Sequence, residues 1–107
     1  MSKEEKPAEQ DFPEIDRLVH EPARFRIMAH LFVVENADFL FLERKTGLTR
    51  GNLSSHLGKL EAGGYVDISK EFVEKIPRTL LQLSKKGRAA FIDYRLMMMK
   101  VLGEFED

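Results

Sequence analysis

The stretch that decides the fold runs from Thr49 to Val66, TRGNLSSHLGKLEAGGYV. Thr49 is a preferred residue type at helix starts, and Gly63-Gly64 is a helix stop that precedes the β-forming pair Tyr65-Val66. The leucines between them, Leu53, Leu57 and Leu60, follow the i, i+4, i+7 spacing of one apolar helical face. The stretch therefore predicts a helix that attaches to a core by its leucines and is followed by a strand.

The face opposite the leucines is small and polar. At about 100° per residue, Gly51, Ser55, Gly58 and Ala62 fall on that side, while His56 falls nearer the leucines. A glycine inside a helix costs about 1 kcal/mol relative to alanine, so a slim face suggests close approach to another molecule, such as the major groove of DNA. The alternative is an ordinary surface helix that is rich in small residues. The candidate DNA contacts here are Thr49, Arg50, Gly51, Asn52, Ser54, Ser55 and Lys59.

The segment after this helix predicts a β-hairpin. Residues 65–73 form the first strand, Glu74 to Pro77 form a turn that Pro77 stiffens, and residues 78–83 form the return strand. Its cations are predicted to cluster around the tip, where they could contact the DNA backbone or the minor groove; they are Lys70, Lys75 and Arg78. A solvated charged turn is the alternative.

The rest of the chain predicts helices. Asp11-Phe12-Pro13 suggests the start of a short helix with Ile15, Leu18 and Val19 on its apolar side, and Pro22 suits the first turn of a second. Its stripe comprises Phe25, Met28, Leu31, Phe32 and Glu35. A third helix precedes Gly47, a left-handed cap, and Ser84 caps a last helix over about 85–104. The order predicts a mainly α winged helix-turn-helix at 12–107, with a recognition helix at about 50–62 and a wing at about 65–83, after a flexible polar tail at 1–11.

Charge is distributed unevenly along the 107 residues. The net charge is −1, but residues 22–102 carry fourteen basic and eight acidic side chains, a local net charge of +6. The acidic surplus lies at the two ends. A polyanion responds to the local field, so the middle of the chain suits nucleic acid despite the overall charge.

Several classes of protein are not indicated. There is no cysteine, no apolar run of 18 residues and no signal peptide, which predicts a cytoplasmic protein without a membrane span. The three histidines lack metal-ligand spacing, and no catalytic or phosphate-binding motif occurs, so we expect neither a metal, a cofactor nor an enzyme. A small-molecule effector is possible but has no supporting motif.

Three runs together resemble a known family: HEPARFRIMAHLF, FLFLERKTGLTRGNLSSHLGKLEAGGYV and KEFVEKIPRTLLQLSKKGRAAF. Over residues 20–95 the chain is similar to small winged-helix transcriptional regulators of the MarR/ArsR-like superfamily. The resemblance implies sequence-specific binding to duplex DNA as a homodimer, with the recognition helix in the major groove and the wing along the backbone. Members often carry an acidic residue before the Gly-Asn pair, whereas this chain has Arg50, so no operator preference is carried over.

The last helix is more apolar than one small domain requires. Its side chains recur at spacings of three and four and extend beyond one face, which favours pairing of two chains, aided by the first helix. The alternative is a helix that folds back on its own domain. The residues predicted to form the dimer interface are Ile15, Leu18, Phe91, Tyr94, Met98, Val101, Leu102 and Phe105.

The sequence thus leads to a dimeric DNA-binding transcriptional regulator. A winged-helix module for protein–protein assembly without DNA contact is the competing hypothesis, kept open by the near-neutral overall charge. The basic hairpin and the small-residue face favour DNA.

Overall fold

The structure, a computed structural model, describes residues 14–103. Over that range the chain forms four helices and one hairpin, which confirms the predicted mainly α winged helix-turn-helix. In chain order the elements are α1 (Pro22–Phe32), α2 (Phe39–Thr46), α3 (Arg50–Ala62), β1 (Val66–Val73), β2 (Ile76–Leu83) and α4 (Lys85–Gly103).

Local hydrogen bonds set the boundaries of the helices around the central turn. The carboxylate of Asp38 accepts the N–H of Phe41 (2.8 Å) and starts α2. Gly47 ends α2 in the left-handed region (φ 75°), and its N–H bonds to the carbonyl of Glu43. The hydroxyl of Thr49 then accepts the N–H of Asn52 (3.2 Å) and starts α3. The caps predicted at Gly47 and Thr49 are confirmed.

The hairpin is longer and its turn tighter than predicted. β1 and β2 are antiparallel, with Val66 opposite Leu83 and Val73 opposite Ile76, so the turn contains only Glu74 and Lys75. Both turn residues have positive φ (52° and 68°), as the twist of a two-residue hairpin requires. The prediction of a turn extending to Pro77 was wrong.

Pro77 instead lies in β2 opposite Phe72. Hydrogen bonds alternate along an antiparallel ladder, so proline fits one position beyond the pair that closes the turn. On its other side β2 makes one bridge, in which Leu81 and Ala37 exchange N–H···O bonds of 2.8 and 2.9 Å. Residue 37 therefore holds the start of α2 against the base of the wing.

All elements contribute to one hydrophobic core. Leu42 of α2 and the three leucines of α3 are fully buried, which confirms the predicted stripe. α1 adds Ile27, Met28 and Leu31, the hairpin adds Val66 and Leu81, and α4 adds Met97 and Tyr94. α1 ends at Phe32, so the predicted extension of its stripe to Glu35 was wrong.

The segment before α1 departs from the predicted short helix. Residues 14–16 have no regular structure and 17–19 form a turn. The carboxylate of Asp16 accepts the N–H of Leu18 (3.0 Å), and the guanidinium of Arg24 donates to the carbonyls of Leu18 and Arg17. These side chains bind backbone groups that a helix would need, so the turn forms instead. The predicted helix start at Asp11-Phe12-Pro13 and the tail at 1–11 lie outside the described residues.

Candidate nucleic-acid interface

The outward face of α3 is as slim as the sequence predicts. The candidate contacts Arg50, Asn52, Ser54, Ser55 and Lys59 are all exposed. A Cβ atom built on Gly51 or Gly58 meets no other atom within 4 Å. The fold would thus accommodate alanine at both glycines, and internal packing gives no reason for them.

His56 lies at the edge of this face and is tied to α1. Its Nδ1 is 3.2 Å from a terminal nitrogen of Arg24 and 3.9 Å from the carboxylate of Glu21. Because Arg24 can only donate, Nδ1 accepts in that contact. Burial alone would raise the pKa of Glu21, but the backbone N–H and the guanidinium charge of Arg24 hold that pKa below its ordinary value. His56 is thus a flanking residue, as its position on the helical wheel predicted.

Arg50 at the start of α3 is joined to α2. Its Nε donates to Oε2 of Glu43 at 2.8 Å, and its guanidinium lies 5.9 Å from the ring centroid of Phe39. The hydrogen bond to Glu43 raises the pKa of Arg50. Sequence reasoning picked out Arg50 and missed Glu43, although the two stand seven residues apart on either side of the Gly47 turn.

The cations of the wing do not form one cluster at its tip. Lys75 lies in the turn, but Lys70 stands opposite Thr79 and Arg78 stands opposite Glu71. Since side chains alternate along a strand, Lys70 and Arg78 point to opposite faces of the hairpin. The prediction of a single cluster was therefore wrong.

Arg78 faces a neighbour that the sequence did not suggest. It lines a groove of about 300 Å³ together with Asn36, with Asp38 at the N-cap of α2 and with Arg44 in the last turn of α2. The tip itself is more apolar than basic, because Phe72 (74% exposed) and Ile76 (63% exposed) flank the turn. The basic surface therefore extends from the wing toward α2.

The predicted dimer residues differ in how deeply each is buried in its own chain. Tyr94 is buried in the core of its own chain, where its hydroxyl is 2.7 Å from Nδ1 of His20 and burial raises its pKa. Leu18 is half-buried, and a Cβ on Gly63 would clash with it. Phe91, Met98 and Val101 are half-buried against the core, Ile15 and Leu102 are exposed, and Phe105 lies outside the described residues.

The free surface of α4 includes apolar side chains beyond those predicted: Ile92, Leu96 and Met99 are exposed. Beside them, a cavity of about 340 Å³ opens between α1 and α4, lined by Phe25, Phe91 and Met98 among others. Met99 and Leu102 line this cavity and are also exposed, and we call the cavity together with Ile92, Leu96, Met99 and Leu102 the α4 surface.

Among residues 14–103 no group of three His, Asp or Glu side chains is placed to hold a metal ion. No helix in that range is long and apolar enough to cross a membrane.

Residues 23–102 match the family described as the winged helix DNA-binding domain. The chain is 36% identical over 78 residues to an uncharacterized protein of Methanocaldococcus jannaschii, a match that covers 73% of this chain and 85% of the relative. Its fold is similar to that of a transcriptional regulator homologue from Pyrococcus horikoshii OT3, with a TM-score of 0.79, 26% identity and coverage of 85% and 90% of the two chains.

The same fold occurs in the transcriptional repressor CouR, solved bound to a 23-mer DNA duplex (TM-score 0.69, 20% identity, 78% of this chain and 58% of CouR). Other solved structures that share the fold are regulators of the MarR family. The chain belongs to the winged helix DNA-binding domain family, and it is a DNA-binding regulator of the MarR-like superfamily.

Proposed function

We propose that this protein binds duplex DNA sequence-specifically as a homodimer, with α3 in the major groove and the wing along the backbone or in the minor groove. The observation that carries the proposal is the outward face of α3. Gly51 and Gly58 leave open space there, and polar side chains able to bond bases or phosphates surround them. An interior glycine costs a helix about 1 kcal/mol of stability relative to alanine, and internal packing gives no reason for that cost here. The close approach of a DNA groove would give one.

Contacts to bases and contacts to phosphates are assigned to different residues. Asn52, in the first turn of α3, suits bidentate bonding to adenine, whereas Lys59 lies two turns later and suits a phosphate. On the wing, Lys75 and Lys70 are exposed cations, and Arg78 adds a third beside Arg44. These cations would meet the backbone on either side of the groove that α3 enters.

The homodimer is supported by the α4 surface. Large apolar side chains at Leu96, Met99 and Leu102 are exposed on one chain, which is unusual for a soluble monomer. A second copy paired about a two-fold axis would cover both surfaces at once. The pair would present two α3 helices to two half-sites.

Binding measured against salt tests the proposal. Duplexes are selected from a random-sequence library with the full chain, and the affinity for the enriched sequence is measured at several salt concentrations. We expect one sequence to be enriched and its affinity to fall steeply with salt, because counterions are released from the contacted phosphates. Weak, salt-independent binding with no enriched sequence would favour the protein–protein assembly hypothesis instead.

Two variants on the same helix separate the assigned roles. Asn52→Ala should reduce base preference at one position by about 1–3 kcal/mol, while Lys59→Ala should weaken binding to all sequences and lower the salt slope by about 1. Identical effects of the two substitutions would contradict the division between base and phosphate contacts.

A further inference from the structure

The ion pair between Glu43 and Arg50 places a carboxylate at the edge of the proposed DNA surface. Glu43 lies in the second half of α2 and Arg50 is the first residue of α3, so the pair spans the turn of the helix-turn-helix. The Arg50 side chain is 72% exposed and that of Glu43 only 21%. The acid is thus partly sheltered by the fold, and the guanidinium projects from it.

The hydrogen bond to Glu43 leaves the two terminal nitrogens of the Arg50 guanidinium free. Nε of Arg50 donates to Glu43 at 2.8 Å, and the two terminal nitrogens with their four N–H groups remain available. Those two nitrogens are the pair that bonds O6 and N7 of guanine in the major groove. The ring of Phe39, 5.9 Å from the guanidinium, supports the same orientation from the side.

The negative charge of Glu43 disfavours a contact between Arg50 and a DNA phosphate. If Arg50 turned away to a phosphate, Glu43 would lose its partner and remain unpaired beside a polyanion. In a complex without the right base, this carboxylate weakens binding. In a complex with guanine in reach, Arg50 bonds the base without leaving Glu43.

We propose that Glu43 is a specificity-determining positioning residue, which holds Arg50 for bidentate contact with a guanine and disfavours its contact with phosphate. The inference rests on the proposed DNA-binding function and adds a base type and a second residue to it. The pair also gives a role to the arginine that departs from the family pattern before the Gly-Asn pair.

The test compares Glu43→Gln and Arg50→Lys, alone and combined, with Glu61→Gln as the matched control. Glu61 is an exposed acid near the end of α3, so its change removes the same charge at a distance from Arg50. Each full-length variant is used to select duplexes from a random library, and its affinities for the selected and a scrambled duplex are measured against salt. Unfolding midpoints, which an exposed ion pair barely affects, check that each variant is folded.

We expect the wild type to select a site with a guanine at one fixed position. The preference for guanine at that position should fall at least about fivefold in Glu43→Gln and in Arg50→Lys. Glu43→Gln should also bind the scrambled duplex more tightly, with a salt slope steeper by about 1 because Arg50 now contacts a phosphate. Its effect on the guanine should vanish in the Arg50→Lys background. Glu61→Gln should leave the base preference unchanged.

The outcomes separate this inference from the proposed function. A wild type that selects no sequence overturns both. A wild type that selects a sequence, with Glu43→Gln showing the base preference and salt slope of Glu61→Gln, overturns the role of Glu43 alone.

Discussion

Helices α3 and α4 both turn one face to the core and leave the other uncovered, but the uncovered faces have opposite chemistry. On α3 the face consists of glycine, serine, asparagine and lysine, with open space over Gly58. On α4 it carries Leu96, Met99 and Leu102, all more than half exposed. A polar face without bulk suits a hydrated, charged groove, whereas a bulky apolar face is stable only when another apolar face covers it.

Under the proposed function the two helices have two different partners. α3 would meet DNA and α4 a second copy of the chain. The two helices are joined closely, because the backbone of Tyr65 after α3 packs against Gly87 in the first turn of α4, where a Cβ would overlap the Tyr65 carbonyl oxygen. The pairing of α4 would therefore fix the distance between two α3 helices.

The largest expected effect comes from placing a charge on the α4 surface. Leu102→Glu should reduce the sedimentation mass from about twice 12.4 kDa to that of one chain. It should also weaken operator binding by at least about 100-fold, because the two half-sites are no longer bound by one linked pair. The side chain is 63% exposed, so the fold itself should be unaffected. Met98 is a less suitable position, since it is half-buried against the core.

Leu40→Glu provides the control for that change. Leu40 is 54% exposed on α2, so the same substitution introduces the same charge away from α4. Its mass should remain that of the dimer. A dimeric Leu102→Glu protein would place the interface elsewhere and remove the contrast between the two helices.

A smaller effect is expected from adding a methyl group to α3. Gly58→Ala should stabilise the free protein by up to about 1 kcal/mol through helix propensity, as seen in chemical unfolding. It should weaken operator binding by about 1–3 kcal/mol, the usual cost of forcing a methyl group into a packed contact. If Gly58→Ala gains stability without losing affinity, the slim face has no role in DNA contact.

The sequence predicted those parts of the fold whose signals are local. Thr49 caps α3 and Gly47 ends α2 because each acts on backbone groups within a few residues, and the leucine stripe follows from helical period alone. The outward face of α3 could be predicted for the same reason, because it lies on the side of the helix opposite the leucine stripe.

The features that were missed depend on the chemistry of particular contacts rather than on pattern. The spacing of apolar residues predicted a helix around Asp16, but the chain forms a turn there. The Asp16 carboxylate accepts backbone N–H groups, and the apolar spacing contains no information about such bonds. Pro77 is a common turn residue but fits the ladder of β2, while the actual turn uses Glu74 and Lys75 at positive φ without glycine. The Glu43–Arg50 pair joins two helices, and only the angle between them brings the two side chains together.

The smallest expected effect concerns Tyr65, which joins the two helices. Its hydroxyl donates to Oδ2 of Asp16 at 2.5 Å, and its carbonyl accepts the N–H of Ser84 before α4. Burial and the bond to Asp16 raise the pKa of Tyr65 from 10.0 to about 12, so the folded state favours the neutral phenol. That contribution to stability is complete below pH 10 and is lost as pH rises toward 12. Tyr65→Phe should cost about 1 kcal/mol of unfolding free energy at neutral pH.

Because Tyr65→Phe removes one hydroxyl and leaves every other group in place, the difference in unfolding free energy between wild type and variant isolates that hydroxyl. The difference should stay level up to about pH 10 and shrink above it, as the unfolded phenol loses its proton before the folded one does. A difference that stays level through pH 12 would mean that the bond to Asp16 does not hold the proton on Tyr65. The junction between α3 and α4 would then depend on the backbone contacts of Tyr65 with Ser84 and Gly87, and the spacing of the two faces would be insensitive to alkali.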